Sequence, residues 1–275
     1  MQTAARYPDL WTCIASEWNS PDPDDRVWLM YTANYLFRTA GVRWAMDPLM
    51  LRTRVPEAPS VDATDDFRNL SFVILTHSHT DHLDLELLRT LRNLPIRFVI
   101  PEFMLPLVPD QTGIPEEKIM VPVPLQPFEM NGILITPFTG LHWENDSSRP
   151  NGLRGVPAMG YLIEFSGKRW LFPGDTRVYD SRQIPDFGPV DGLFAHLWLG
   201  RTGAMTEPPP LLESFCRFFL DLKPRRIVLS HLHELSRGPL SYWDESHAML
   251  ATKTLQKISP GVHIASANMG ESIQL

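Results

Sequence analysis

The sequence is poor in cysteine, in excess basic charge and in long apolar runs. Cys13 and Cys216 lie about two hundred positions apart, which excludes a disulfide framework and favours a reducing compartment, the cytoplasm. The formal net charge of −7 argues against a nucleic-acid backbone as the main partner. No stretch approaches the roughly 20 apolar residues of a membrane helix, and the N-terminus lacks the apolar centre of a signal peptide. We therefore expect a cytoplasmic protein with a small-molecule substrate and no membrane; the oligomeric state stays open.

The remaining composition is that of an ordinary globular protein. With 275 residues, 43% hydrophobic and 21% charged, the chain is expected to form a single domain over residues 1–275. Apolar runs at 27–37, 42–46, 72–75, 190–198 and 226–229 predict strands, and a hairpin is expected to turn at Ser166-Gly167. Amphipathic segments at 85–94, 211–222 and 244–258 predict helices. This alternation favours an α/β layered fold.

The feature with the clearest chemistry is His77-Ser78-His79-Thr80-Asp81-His82, directly after the apolar run at 72–75. Three imidazoles and a carboxylate within six residues supply the nitrogen and oxygen donors that suit Zn²⁺ or a similar transition metal. A chance match to this pattern is on the order of one in a thousand per chain. The alternative interpretation is a solvated turn that precedes a helix beginning near Asp84.

Three further metal-competent residues follow later apolar runs: His142, Asp175 and His231. Each lies at the carboxyl end of a predicted strand, where α/β sheets usually place function. Each alone also fits a hydrogen-bonded structural residue, but together they predict one site. His233 is an alternative to His231 as the last ligand, because residues two apart on an extended segment point the same way. We choose His231 because it comes first after the strand.

In their order, these motifs resemble the metallo-β-lactamase superfamily, in which a His-x-His-x-Asp-His motif precedes a His, an Asp in a Gly-Asp-Thr turn and a final His. The layout is similar to the branch that includes sugar-phosphate lactonases and uncharacterised hydrolases. The resemblance implies a four-layer αβ/βα sandwich with two metals at one edge. It also implies which residues bind them: His77, His79 and His142 the first ion, Asp81, His82 and His231 the second, and Asp175 both.

Two such divalent ions, Zn²⁺ with Mn²⁺ or Fe²⁺ as alternatives, would lower the pKa of a shared water and generate a hydroxide nucleophile. Asp81 and Asp175 are the candidate catalytic residues. The sequence thus predicts a binuclear metal-dependent hydrolase of a small acyl compound such as a lactone, an amide or a β-lactam. The alternative is a phosphodiesterase or nuclease with the same two-metal site. A third hypothesis, a non-catalytic metal-binding protein, fits poorly because closed structural zinc sites are rich in Cys.

Further residues are candidates for supporting the ligands or contacting substrate. Asp47 and Asp84 supply carboxylates that would hold imidazoles in the correct tautomer. Each also has a structural explanation, since Asp47 precedes a proline at a strand end and Asp84 suits a helix N-cap. Arg201 and His233 are the other two candidates; an arginine there would pair with a substrate carboxylate or phosphate, although isolated arginines are usually solvated.

Overall fold

The computed structural model describes residues 2–145, 153–200, 209–237 and 242–275. The chain divides into two compact units: unit 1 contains Met1–Val123, Glu129–Ile133 and Asn268–Leu275, and unit 2 contains Pro124–Phe128 and Leu134–Ala267. The organisation as a single domain stays a prediction. Among the helices in the described ranges, none combines the length and apolarity needed to cross a bilayer.

Unit 1 is built on a mixed sheet. Its strands are β1 (Arg26–Leu29), β2 (Tyr35–Thr39), β3 (Val42–Met46), β4 (Phe72–Ile74), β5 (Arg97–Val99), β6 (Ile119–Met120) and β16 (Ser272–Gln274). They lie in the order β16-β1-β2-β3-β4-β5-β6, antiparallel as far as β3 and parallel from β3 to β6. Trp44 stacks on Phe37 and Phe72 in the core. The parallel register brings the carboxyl ends of β3 and β4, and the residues that follow them, to one edge.

The expectation of one strand over residues 27–37 is wrong. The segment forms β1 and β2, separated by a turn in which the Met30 amide donates to the Asn34 carbonyl at 2.8 Å. Apolar residues continue through this turn because the turn is itself buried; Met30 and Tyr31 are no more than 1% exposed. Hydrophobicity alone therefore gave no sign of the reversal.

The helices of unit 1 are α1 (Gln2–Ala5), α2 (Tyr7–Asn19), α3 (Leu51–Arg54), α4 (Leu85–Leu91) and α5 (Val108–Thr112). Helix α2 was not expected from the sequence, yet its pattern is helical: Tyr7, Trp11, Ile14 and Trp18 are buried along one side. Helix α4 begins after Asp84 as expected and ends at Leu91, three residues before the predicted end. Short 3₁₀ turns occupy Asp66–Asn69, Glu102–Met104 and Glu116–Lys118.

The described residues of unit 2 form a second mixed sheet and two helices. The strands that follow β6 along the chain are β7 (Phe128–Met130), β8 (Ile133–Thr139), β9 (Glu144–Asn145), β10 (Leu153–Arg154), β11 (Met159–Phe165), β12 (Lys168–Phe172), β13 (Gly192–His196), β14 (Arg226–Ser230) and β15 (His263–Ser266). The sheet runs in the order β15-β14-β13-β12-β11-β8-β7, and β9 pairs with β10 in a separate two-stranded sheet. Strands β11 and β12 form the expected hairpin, while β12 to β15 are parallel. The carboxyl ends of β12, β13 and β14 therefore lie side by side.

The helices of unit 2 are α6 (Leu212–Asp221) and α7 (Glu245–Ile258), with a 3₁₀ turn at Ser181–Gln183. Phe215, Cys216 and Phe219 of α6 are fully buried. Helix α7 starts with a capping box: the Asp244 side chain accepts from the Ser246 and His247 amides, and the His247 side chain meets the Asp244 amide. These elements confirm the α/β class.

Candidate metal centre

The histidine motif of unit 1 forms a tight turn after β4. The His79 carbonyl accepts hydrogen bonds from the His82 and Leu83 amides, both at 2.9 Å. This turn brings the His77 ring close to two others, with ring centroids 5.1 Å from His79 and 4.2 Å from His82. His77 and His82 are fully buried, and Asp81 is 6% exposed. The motif is therefore a folded cluster of donors and not a solvated turn.

Asp47 supports this turn from the end of β3. Its Oδ2 lies 2.9 Å from Nδ1 of His82, and its Oδ1 accepts from the Thr76 amide at 2.8 Å. The Thr76 hydroxyl also donates to the same carboxylate. Asp47 adopts a left-handed backbone conformation, φ +46°, which turns the chain at the strand end. The candidate role of Asp47 as a partner of a motif histidine matches this position.

The two buried histidines are oriented alike. His77 Nδ1 lies 2.9 Å from the Thr76 hydroxyl, and His82 Nδ1 is engaged by Asp47. Metal-binding histidines usually direct one ring nitrogen to the ion and the other to such a partner, which fixes the tautomer. Candidate ligand atoms of Asp47, His77 and His82, one from each residue, all lie within 4.8 Å of one another. Buried donor atoms this close together are typical of metal binding.

Asn34 is a supporting residue that the sequence gave no reason to select. Its side-chain amide, fully buried, donates to the backbone carbonyls of Asp47 at 2.8 Å and Asp81 at 2.9 Å. One amide thus ties the end of β3 to the middle of the histidine motif. Its partners are 13 and 47 positions away in the sequence. No local pattern could have revealed it.

Asp84, the other candidate carboxylate, lies at the start of α4. Its oxygens accept from the Leu87 amide at 2.9 Å, the Met50 amide at 3.0 Å and the Thr53 hydroxyl at 2.6 Å. The structure thus places Asp84 as the N-cap of α4 and as an anchor for α3, which is the structural alternative weighed for it.

In unit 2, Asp175 is surrounded by three histidines. His142 Nε2 and His231 Nε2 lie 4.0 and 3.9 Å from Asp175 Oδ2, and His196 Nδ1 lies 2.7 Å from Oδ1. Asp175 follows β12 after Gly174, whose φ of +71° is in the region that favours glycine. The structure thus brings together the three dispersed candidates of the sequence.

His196 was missed by the sequence reasoning. It is the last residue of β13, is 5% exposed, and its ring stacks on His231 with centroids 5.7 Å apart. The signal was present, because His196 is also a metal-competent residue at the carboxyl end of a strand. It was hidden inside an apolar run that was predicted to continue to Trp198.

His231 and His233 have different surroundings, although both have a positive φ, +67° and +54°. His231 lies at Asp175, whereas His233 Nε2 lies 2.7 Å from Oε2 of Glu245 at the start of α7. The left-handed backbone breaks the extended alternation on which the ambiguity was based, so the two side chains do not share a partner. Arg201 lies outside the described residues.

Neither cysteine offers an alternative nucleophile in this region. Cys216 is buried in α6, where desolvation, with a smaller contribution from Glu213, raises the pKa of its thiol to about 12. Cys13 is exposed on α2. The chemistry available to the described residues near the two ligand sets is that of imidazoles and carboxylates.

Unit 1 also contains a cavity of about 690 Å³ beside the histidine motif. Thr80, Leu83 and Asp84 line part of it, together with Tyr7, Met50 and residues of α3, α4 and the segment from Pro56 to Thr64. Arg54 Nη1 donates to the Thr80 hydroxyl at 2.5 Å within this lining. The volume is in the range of small-molecule sites, about 300–1,000 Å³.

Comparison with known proteins identifies the family. The profile described as "Beta-lactamase superfamily domain" matches residues 44–232, a segment that includes the histidine motif and the residues around Asp175, namely His142, His196 and His231. The chain belongs to this superfamily. No curated protein sequence matches the chain. Membership confirms the resemblance drawn from the order of the motifs, and it applies to more than half of the chain.

Several solved structures resemble the fold of this chain over most of its length. CmlA, a diiron β-hydroxylase from Streptomyces venezuelae, matches with a TM-score of 0.65 and 18% identity over 93% of this chain, which spans only 55% of CmlA. The metallo hydrolase Igni18 from Ignicoccus hospitalis has a TM-score of 0.64 and 16% identity, covering 91% of this chain and 98% of Igni18. Isothiocyanate hydrolase from Delia radicum gut bacteria has a TM-score of 0.63 and 20% identity, covering 91% of this chain and 99% of the hydrolase. These similarities show the metallo-β-lactamase αβ/βα fold.

Proposed function

We propose that the chain is a binuclear metal-dependent hydrolase of a small acyl compound, of the lactone, amide or β-lactam type. The observation that carries this proposal is the buried pair formed by His82 and Asp47, 2.9 Å apart at the head of the histidine motif. A buried carboxylate that holds Nδ1 of an imidazole leaves Nε2 as the nitrogen directed at an ion. Superfamily membership over residues 44–232 supports the same reading.

The donor set fits divalent metal ions. The candidates are imidazoles and carboxylates without cysteine, which suits Zn²⁺ and also Mn²⁺ or Fe²⁺. When bound, such ions supply Lewis acidity and lower the pKa of a coordinated water toward neutrality. We propose that the two ligand sets act jointly: His77, His79 and His142 would hold one ion, Asp81, His82 and His231 the other, and Asp175 would be shared.

Neighbouring residues fix the positions of these donors. Asp47 and Thr76 fix the rings of His82 and His77, while Asn34 fixes the backbone at Asp81. We assign Asp81 the orientation of the attacking water. In unit 2, His196 holds the Asp175 carboxylate at 2.7 Å. Preorganised positions of this kind favour catalysis because little reorganisation is needed during the reaction.

A small substrate is favoured over nucleic acid by two observations. The cavity beside the motif, about 690 Å³, suits a small molecule. The net charge of −7 disfavours a polyphosphate backbone. We also propose a cytoplasmic location, which the two free cysteines support.

A hydrolase panel with metal analysis tests the proposal. Purified protein loaded with Zn²⁺, and separately with Mn²⁺, is assayed on a lactone, a β-lactam, a thioester and a bis-aryl phosphodiester. We expect turnover of at least one acyl compound that a chelator abolishes and added metal restores. Turnover of the phosphodiester alone would replace the acyl assignment. Less than one bound metal per chain, together with no turnover, would overturn the proposal as a whole.

A further inference from the structure

Unit 2 contains a small cavity at Asp175 whose lining includes groups that metal binding does not use. Its volume is about 10 Å³, which gives room for roughly one water-sized group. Asp175 and His231 line it together with Thr176, Arg177, His196, Leu197 and Trp198. Arg177 and Trp198 are therefore next to the proposed chemistry without a role in it.

Trp198, one of the residues that line this cavity, has a buried hydrogen-bond donor. Its indole Nε1 is shielded from solvent, and no described residue accepts a hydrogen bond from it. An indole N–H can only donate. Buried polar groups in native proteins are nearly always paired, so one that lacks a protein partner beside a cavity points to an acceptor supplied by a ligand or a water.

Arg177 contributes a positive charge at the same place. Its guanidinium carbon lies 4.8 Å from the centroid of the Trp198 ring, a cation–π arrangement. Its backbone amide donates to the Leu141 carbonyl at 2.8 Å. On the other side, the Tyr179 hydroxyl donates to the Trp198 carbonyl at 2.5 Å. Both residues thus line the cavity and are anchored through their backbones.

We propose that Arg177 and Trp198 form a subsite that binds an anionic oxygen of the substrate, a carboxylate or a phosphate, and so determine specificity. Both side chains are donor-only, which selects an acceptor, and the guanidinium charge selects an anion. The carboxylate in the lining, Asp175, is engaged through Oδ1 by His196. The inference rests on the proposed function, because it specifies an acidic group on the hydrolysed compound.

Binding is tested first, without any need for turnover. The protein has eight tryptophans, and their indole N–H signals are followed by ¹⁵N-labelled NMR during titration with acetate, inorganic phosphate and acetamide. Trp198→Phe assigns the Trp198 signal. Trp170 is the matched control, since its Nε1 is also buried with no acceptor among the described residues and Trp170 is not part of this cavity.

We expect acetate or phosphate to move the Trp198 signal by a few tenths of a ppm, with Trp170 unmoved and acetamide without effect. Arg177→Gln should remove most of the shift, whereas Arg182→Gln, at an exposed residue paired with Asp180, should leave it. Whichever anion acts alone identifies the acidic group. An equal response to acetamide, or no response to any probe because only a water binds, would overturn the subsite.

Kinetics then separate the subsite from the reaction. The measured quantity is the ratio of kcat/KM for a carboxylate-bearing lactone to that for its methyl ester. Arg177→Gln and Trp198→Phe should lower this ratio about tenfold, mainly through KM, and Trp170→Phe should not change it. An unchanged ratio in Arg177→Gln with retained hydrolysis removes the subsite and keeps the hydrolase. No hydrolysis of either compound excludes this lactone as a substrate and leaves the proposed function to the hydrolase panel, while the NMR titration still decides the subsite. If Trp198→Phe does not fold, Arg177→Gln carries both measurements.

Discussion

The histidine motif of unit 1 and the Asp175 group of unit 2 assemble similar donors in different ways. In unit 1 the donors come from one six-residue segment, and buried side chains, Asp47, Thr76 and Asn34, hold it through hydrogen bonds. In unit 2 the donors are dispersed from His142 to His231. The parallel register of β12, β13 and β14 brings Asp175, His196 and His231 together, and the Arg177 amide, which donates to the Leu141 carbonyl at 2.8 Å, holds the segment with His142 beside them. The donors of unit 1 are therefore positioned by particular hydrogen bonds, and those of unit 2 mainly by the pairing of the strands.

The largest effect is expected in unit 2, from Asp175→Ala. Because this carboxylate is the partner of three histidines, its loss should lower kcat/KM by about 10³-fold or more. Thermal unfolding should change little, because the sheet register does not depend on it. The control is Asp191→Asn, also in unit 2, whose carboxylate pairs with Arg225. Full activity in the Asp175 variant would remove its role.

The next effect separates the two histidines after β14. His231→Ala should weaken metal binding by more than the roughly 10–100-fold expected from loss of an outer partner. His233→Ala should keep the metal and lose only its partly exposed contact with Glu245, worth about 1 kcal/mol or less. Chelator competition gives both affinities. The opposite ranking would make His233 the last ligand.

In unit 1, Asp47→Asn should act on the metal and Asp84→Ala on the fold. The Asp47 variant weakens the hold on His82, so metal affinity should fall about 10–100-fold. The Asp84 variant loses the cap of α4, which should lower the free energy of unfolding by about 1–2 kcal/mol with little change in metal affinity. Denaturant titration and chelator competition on both proteins measure the four quantities. Equal metal affinities in the two variants would contradict the distinction.

The smallest effect concerns the cap of α7 in unit 2, away from the donors. Burial opposes ionisation of Asp244, but hydrogen bonds from Ser246 and His247 lower its pKa to about 2 from 3.8. A lowered pKa in the folded state gives stability that is present above pH 4 and lost as the pH falls toward 2. Asp244→Ala should therefore cost about 1 kcal/mol near neutral pH, and this difference should shrink between pH 4 and 2. Denaturant unfolding at several pH values checks it; a difference independent of pH would exclude the charge.

The difference between the units also explains what could be predicted from the sequence. The motif from His77 to His82 was recognisable because its spacing is local, and Asp175 and His231 because they follow apolar runs. Asn34 was not, since its partners are 13 and 47 positions away and are brought near only by folding. His196 was overlooked because the strand was predicted to continue past it to Trp198, whereas β13 ends at His196. Strands were predicted correctly where polar loops separate them. The prediction failed at 30–34, because the turn there is buried. Helix α2 was not predicted, because Pro8 and the charged residues of this segment obscured the helical spacing of its buried residues.

Asp47 and His231 share the left-handed backbone described above, φ +46° and +67°, a conformation in which glycine or asparagine is less costly. The amino acids that suit the backbone there are thus different from those that suit the chemistry. In a library of variants selected only for resistance to heat, we expect these two positions to drift toward glycine and asparagine, and in a library selected for turnover to stay unchanged. A position at a strand end where the two libraries select different amino acids would then be one where the residue needed for chemistry makes the fold less stable.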